Sequence, residues 1–206
     1  GNLVQTTTTD NAGKYSFTVN PGSYFVTVVA PNGYAATEPD VGANDAIDSD
    51  VDGTGLSHLV TVAAGDINNT VDAGLYRTAQ IGDRVWLDVN GNGLQDAGEA
   101  GVQGVQVRLL DANGNAVEGP ITTDANGDYL FSGLKPGVYS IAFDPATLPA
   151  GYRFTTRDAG SDSADSDVNP ADGSTIQTEL VSGESDLSWD AGVVANPGSI
   201  SGTVTE

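Results

Sequence analysis

The sequence has no cysteine, no methionine, a single histidine and only 7 basic residues. Without cysteine no disulfide can staple the fold and no thiol chemistry is available. Without methionine position 1 is not a natural start, so the 206 residues are expected to be a piece of a longer chain. The few bases face 28 acids, giving a formal charge of -21. Such a charge repels nucleic acid and anionic membrane, and it works against a compact fold unless cations offset it. No run of eighteen apolar residues exists to cross a membrane, and no signal peptide is visible. Sustained i, i+3, i+4 apolar spacing is missing as well, which leaves helices a minor part.

Against these absences stands a hydrophobic content of 38%, too high for a disordered chain and carried in short alternating runs. The most informative stretch is Asp88-Val-Asn-Gly-Asn-Gly-Leu-Gln-Asp-Ala-Gly-Glu99. It fits the twelve-residue calcium-loop pattern at every constrained position. Asp88, Asn90 and Asn92 take positions 1, 3 and 5, and the Leu94 carbonyl takes position 7. Asp96 takes position 9, and Glu99 at position 12 would close the site in bidentate fashion. Gly93 falls where the loop turns sharply. A solvated turn would use the Asn and Gly residues, but it has no need of Asp96 and Glu99 at those offsets. The preceding Ile81–Leu87 alternates apolar and polar residues and reads as a strand. The loop is therefore of EF-hand type, mounted on a β-domain instead of between helices.

The chain also repeats itself. Thr9-Asp-Asn-Ala-Gly-Lys-Tyr-Ser-Phe17 returns as Thr123-Asp-Ala-Asn-Gly-Asp-Tyr-Leu-Phe131, and Pro21-Gly22 with Tyr24 as Pro136-Gly137 with Tyr139. Asp48-Ser-Asp-Val51 returns as Asp165-Ser-Asp-Val168, and Asp72-Ala-Gly74 as Asp190-Ala-Gly192, 118 residues on (72 to 190). A period of that size makes each repeat a domain. Residues 1–78 then form a partial unit, 79–194 a complete one, and 195–206 the first strand of a further repeat. In the complete unit, strands are expected over 81–87, 105–110, 128–131, 138–143, 175–181 and 187–193. Some seven short strands punctuated by turns predict an all-β, immunoglobulin-like sandwich. Its core should hold Val85, Leu87, Val105, Val107, Leu109, Tyr129, Phe131, Tyr139, Ile141 and Trp189. Trp86 alternates away from this set and is expected at an edge or a domain junction.

A second group of acids comprises Asp158, Asp162, Asp165, Asp167 and Asp172, mirrored by Asp40, Asp45, Asp48, Asp50 and Asp52. Crowded carboxylates repel one another unless neutralised. Asp165 and Asp167, with Asp48 and Asp50 as counterparts, are the expected metal ligands of these loops, with Ca²⁺ as the cofactor. The turn at Asp124–Asp128 reads as a turn only, since Lys14 replaces Asp128 in its counterpart. His58 is expected to decorate a loop. No catalytic residue is assigned, and an enzyme is the least favoured class.

Taken together, Ile81–Glu99, Gly104-Val105, Thr123-Asp124, Gly127–Tyr129, Leu134–Tyr139, Asp165–Asp167 and Asp190–Gly192 resemble the SdrD-type B domain. That family forms repeats of bacterial surface adhesins and is close to the collagen-adhesin B-type sandwich. The resemblance implies calcium-stiffened stalk domains at the cell surface, whose partners are neighbouring repeats of the same chain or fibre. Related B-type domains often carry a lysine–asparagine crosslink. The two lysines here, Lys14 and Lys135, sit beside turns, so none is expected in the complete unit. Two alternatives stand beside the stalk: a fibre subunit completed by strand exchange with another copy, and a module that binds carbohydrate or protein.

Overall fold

The computed structural model describes residues 1–42 and 44–204. By its internal contacts the chain separates into two units, Gly1–Leu75 and Tyr76–Glu206. In the first, turn-rich sequence leaves room only for three-residue strands. β1 (Gly22–Tyr24) pairs antiparallel with β3 (Val60–Val62), and β2 (Tyr34–Ala36) pairs with β4 (Leu75–Arg77), the strand that leads out of the unit. Among its described residues the buried apolar side chains are Val51 and Val60. Tyr15, Phe17, Tyr24, Val26 and Val28 are only half-buried. The Tyr15 and Phe17 rings meet edge to face at 5.7 Å, and the Tyr15 hydroxyl donates to the Val71 carbonyl at 2.7 Å.

The second unit is built on β5 (Ala79–Leu87), whose period-2 pattern puts Ile81 and Val85 on the core side. It precedes β6 (Gln106–Asp111), β7 (Ala116–Thr122), β8 (Asp128–Leu134), β9 (Gly137–Phe143), β10 (Tyr152–Phe154), β11 (Thr178–Leu180), β12 (Ser185–Asp186) and β13 (Ala191–Ala195). One sheet runs β10-β13-β5-β12 with β8 also on β5, and the other runs β11-β9-β6-β7. β5 pairs antiparallel with β8, placing Asp83 opposite Tyr129, and parallel with β13, placing Trp86 opposite Gly192. A single 3₁₀ turn, Pro145–Thr147, is the only helical element among the described residues.

Both sheets send side chains into one core that includes Val85, Val105, Val107, Leu109, Tyr129, Phe131, Tyr139, Ile141 and Trp189, with Leu87 half-buried at its border. Tyr129, Phe143 and Phe154 stack edge to face in series, at 5.3 and 6.2 Å. The Tyr129 hydroxyl donates to the Trp189 carbonyl.

Three expectations are corrected here. Trp86 is 0% exposed instead of covering an edge. It lies opposite Gly192, where a Cβ would come within 2.9 Å of the indole, so glycine makes room for the ring. The strand expected from Leu187 starts only at Ala191; before it, Ser188 Oγ and the Trp189 indole both donate to the Asp186 carboxylate. Ile200–Val204 makes no strand. Ile200 and Val204 are fully exposed, and a strand without an adjacent edge has no ladder to join. Thr205 and Glu206, the end of the expected third repeat, lie outside the described residues.

Candidate metal centre

The Asp88–Glu99 loop leaves the end of β5, and the Asp88 amide still donates to Val193 O at 2.9 Å, so its first residue is fixed by the sheet. Asp88 is buried. Its Oδ1 accepts from the amides of Gly91 (2.7 Å) and Asn92 (3.2 Å), and its Oδ2 accepts from the Gly93 amide (2.9 Å) and Thr155 Oγ1 (2.6 Å). Asn90 Oδ1 accepts from the Asn92 amide and Asn92 Oδ1 from the Leu94 amide, at 3.0 and 2.9 Å. These nested Asx turns wind the loop. Gly93 has φ +80°, and a Cβ there would stand 2.8 Å from Thr156 O, so the sharp turn does require glycine.

Asn90 and Asn92 side-chain amides converge on Asp96 Oδ2 at 2.8 and 2.9 Å. Glu99 closes the loop by hydrogen bonds of its own. Its two oxygens accept from the Val89 and Asp96 amides, at 2.8 and 2.9 Å. A carboxylate has about four lone-pair sites, so two remain for another partner. Arg84 anchors the outer end, donating to Asn126 O at 2.9 Å and Glu99 O at 3.3 Å.

The Asp165/Asp167 loop is stitched onto this one. Leu94 bridges Asp165, the Gln95 amide donates to Ala164 O (2.9 Å) and the Ser166 amide to Gly93 O (3.3 Å). Asp165 and Asp167 are buried, and their Oδ2 atoms accept from the Gly160 and Asp190 amides, each at 2.6 Å. Asp190 is 0% exposed, and neither of its oxygens has a hydrogen-bond partner. Burial pushes the Asp190 carboxyl up to about 8, reinforced by the charges of Asp83 and Asp167 and partly opposed by the Arg84 backbone amide, which lies nearby outside ordinary hydrogen-bond geometry. Burial likewise raises Asp167 to about 7, with Asp162, Asp165 and Asp158 adding repulsion. Asp83 is raised by burial and then by Asp128.

Asp190, Asp83 and Thr155 were not among the sequence-derived ligands. The repeated Asp-Ala-Gly was a visible signal for Asp190. Asp83 interrupts the inward alternation of β5 with a charge, which was a signal too. Thr155 had none.

In the first unit Asp50 is buried, its Oδ2 accepting from the Asp72 amide at 2.6 Å while Oδ1 has no hydrogen-bond partner. Asp48 Oδ1 also lacks one. Burial raises the Asp50 carboxyl, with Asp45 and Asp48 adding repulsion. Among the described residues, donor atoms of three acids or histidine gather within 4.8 Å of one another at Asp45/Asp48/Asp50 and at Asp40/Asp50/His58, both in this unit. Asp124 is what the sequence suggested, a turn former whose Oδ1 caps the Asn126 and Asp128 amides.

The donor set is carboxylate, amide and carbonyl oxygen almost throughout, which suits a hard divalent cation. Buried carboxylates without hydrogen-bond partners are what such an ion would satisfy.

This is an all-β protein with nearly no helix, and in its second unit two acidic loops wound by their own side chains are hydrogen-bonded to each other beside a two-sheet core. The chain belongs to the SdrD B-like domain family, whose description matches residues 1–75 and 79–193. It is 40% identical over 199 residues to serine-aspartate repeat-containing protein F of Staphylococcus epidermidis, covering 96% of this chain and 11% of that one. It is 40% identical over 164 residues to serine-aspartate repeat-containing protein D of Staphylococcus aureus strain Newman, covering 79% of this chain and 12% of the relative. The chain thus spans about a tenth of the curated relatives it matches. Among solved structures, GBS52, the minor pilin of Streptococcus agalactiae, overlaps 75% of this chain and 70% of its own, with 13% identity and a TM-score of 0.44.

Proposed function

We propose that this segment is a structural spacer of an extracellular bacterial surface protein or fibre, made of tandem immunoglobulin-like repeats and stiffened by Ca²⁺. Residues 1–78 and 79–194 are the two repeats in this reading, with 195–206 leading into another. Ca²⁺ binds at Asp88, Asn90, Asn92, the Leu94 carbonyl, Asp96 and Glu99. It binds also at Asp165 and Asp167 with Asp190 and Asp83 beside them, and at Asp48 and Asp50. The observation that carries this reading is Asp190, a buried carboxylate with no hydrogen-bond partner, set among other buried carboxylates.

The mechanism is electrostatic. An ion bound by the stitched loops neutralises their charge and ties residues some seventy positions apart, so loop order and stability come from binding. Such a spacer is rigid where calcium is plentiful and loosens where it is scarce.

Thermal unfolding in millimolar Ca²⁺ and in excess chelator tests this. The expected result is a drop of more than 10 °C in chelator, restored by Ca²⁺ and poorly by Mg²⁺. An unchanged melt defeats the proposal. A second reading is favoured by the exposed apolar residues of the first unit, Phe25, Val29 and Leu59 among them. These suit a further strand supplied by another copy. Mass measurement with and without the last ten residues separates the two, and a monomer in both cases ends the strand-exchange reading.

A further inference from the structure

The first unit contains one nitrogen donor among its acids, and the fold does not require it there. Ser57 Oγ accepts from the Val26 amide at 2.9 Å and donates to the carbonyl of the next residue, His58, at 2.8 Å. In the second unit Thr175 Oγ1 accepts from the Ile141 amide at 2.9 Å and donates to the carbonyl of Ile176 at 3.0 Å. The same backbone device thus presents a histidine in one unit and an exposed isoleucine in the other. A residue replaceable by an exposed isoleucine is not held by packing.

His58 Nδ1 stands 3.9 Å from Asp50 Oδ1, an oxygen with no hydrogen-bond partner on a side chain that is 0% exposed. Asp50 cannot readily turn away, because its Oδ2 is held by the Asp72 amide at 2.6 Å. Asp40 supplies the third donor from a backbone pinned by its amide to Ser49 O at 2.8 Å in the left-handed conformation, φ 53°. Donor atoms of all three lie within 4.8 Å of one another.

The spacing suits a small ion. Metal–nitrogen and metal–oxygen bonds of about 2.0–2.2 Å in tetrahedral array put donors about 3.4 Å apart, which the exposed His58 and Asp40 side chains reach by small rotations from the separations seen here. Imidazole with two carboxylates is a borderline set that favours Zn²⁺ and its transition-metal neighbours over Ca²⁺, which takes six to eight oxygens. We infer that Asp40, Asp50 and His58 form a transition-metal site of Zn²⁺ type in the first unit, which the second unit lacks. Three protein donors leave the remaining coordination positions to water. This site shares Asp50 with the calcium ligands proposed for the first unit, so the two ions would compete there, and it does not depend on the Asp88–Glu99 loop.

The chain has one histidine, so its NMR spectrum holds one set of imidazole ring signals. The test is to titrate the full chain with Zn²⁺ in millimolar Ca²⁺, following those signals, and to measure Zn²⁺ affinity by calorimetry. The expected result is a shift or broadening complete at one equivalent. His58→Ile, the residue its counterpart carries, should lower Zn²⁺ affinity at least tenfold while leaving the Ca²⁺-dependent melt unchanged, and Asp40→Asn should weaken it by a smaller factor. Ring signals unmoved at stoichiometric Zn²⁺ would overturn the inference. So would equal affinity in His58→Ile, since the ion would then rest on carboxylates alone. Failure of the calcium melt leaves this readout untouched, so the two proposals fail separately.

Discussion

One acidic motif is built twice in this chain, and the two copies differ in what surrounds them. Their local geometry is nearly the same. Asp50 and Asp167 each accept the amide of an aspartate, Asp72 or Asp190, at 2.6 Å. Asp40 and Asp158 both take φ 53° and donate their amides to Ser49 O and Ser166 O, at 2.8 and 2.9 Å. Gly74 and Gly192 donate to the hydroxyls of those serines at 3.3 and 3.1 Å. Yet the second copy rests on β13 and the Asp88–Glu99 loop, with Asp83 at hand, whereas the first has Asp45 and His58 as near neighbours. The flanking aromatics follow suit: Tyr129 and Phe131 are buried, while Tyr15 and Phe17 are half-buried. Hydrogen bonds between near neighbours shape the loop. Strands from far along the chain decide how dry it is.

Paired substitutions sharpen that contrast. Phe131→Ala should cost the second unit about 3–5 kcal/mol, the usual loss for a fully buried ring. Phe17→Ala, which opens no closed cavity, should cost the first unit about 1–2 kcal/mol by the area it covers. Urea unfolding followed by unit-specific NMR signals measures both, and equal losses would break the contrast.

The next effect is one of pH. Asp167 and Asp190 are raised to about 7 and about 8, above the ordinary carboxylate range, so between pH 4 and 8 the folded unit holds more protons than the unfolded chain. Stability in chelator must then fall as pH rises across that window, and it is greatest at the acidic end. Ca²⁺ selects the deprotonated form and should flatten or reverse the slope. Melting temperatures at pH 5 and 8, with and without Ca²⁺, check this; a chelator melt that rises with pH contradicts it.

Asp190→Asn removes one buried charge. In chelator at pH 8 it should stabilise the second unit by about 1–2 kcal/mol, relieving the ionisation penalty that the raised pKa reflects while leaving a buried amide without partners. The same variant should show a smaller calcium increment. Asp72→Asn in the first unit should change less. The smallest pair is Ser166→Ala and Ser49→Ala, expected to cost about 1 kcal/mol and about half that, following the shorter and longer bonds to the glycine amides. Hydrogen exchange at Gly192 and Gly74 reads both.

Much of the fold was legible because strands such as β5, β6, β8 and β9 alternate between core and solvent and end in recognisable turns. β7 was not legible. It is exposed along nearly its whole length and contains Gly119 and Pro120, which only an edge strand with one unpaired side tolerates. β10 and β12, of three and two residues, are too short to show a period. In the candidate site, the nested turns of Asp88–Leu94 follow from residues two to five positions apart. That Glu99 also accepts the Val89 and Asp96 amides, one on each oxygen, was not legible, because those bonds depend on how the loop folds back on itself.

What the sequence determined by itself was local: the period of the strands, the turns wound by Asp and Asn side chains, the glycine at the sharp turn, and the duplication of one acidic motif. These rest on contacts within a few residues, which the order of side chains dictates. Only the tertiary structure decided which of those acids lose their water. It placed the Asp158–Asp167 loop against Asp88–Glu99, set Asp83 and Asp190 within reach of one another, enclosed Trp86 above Gly192 and turned His58 toward Asp50. Burial and charge crowding are sums over neighbours from distant parts of the chain, so no window of sequence contains them.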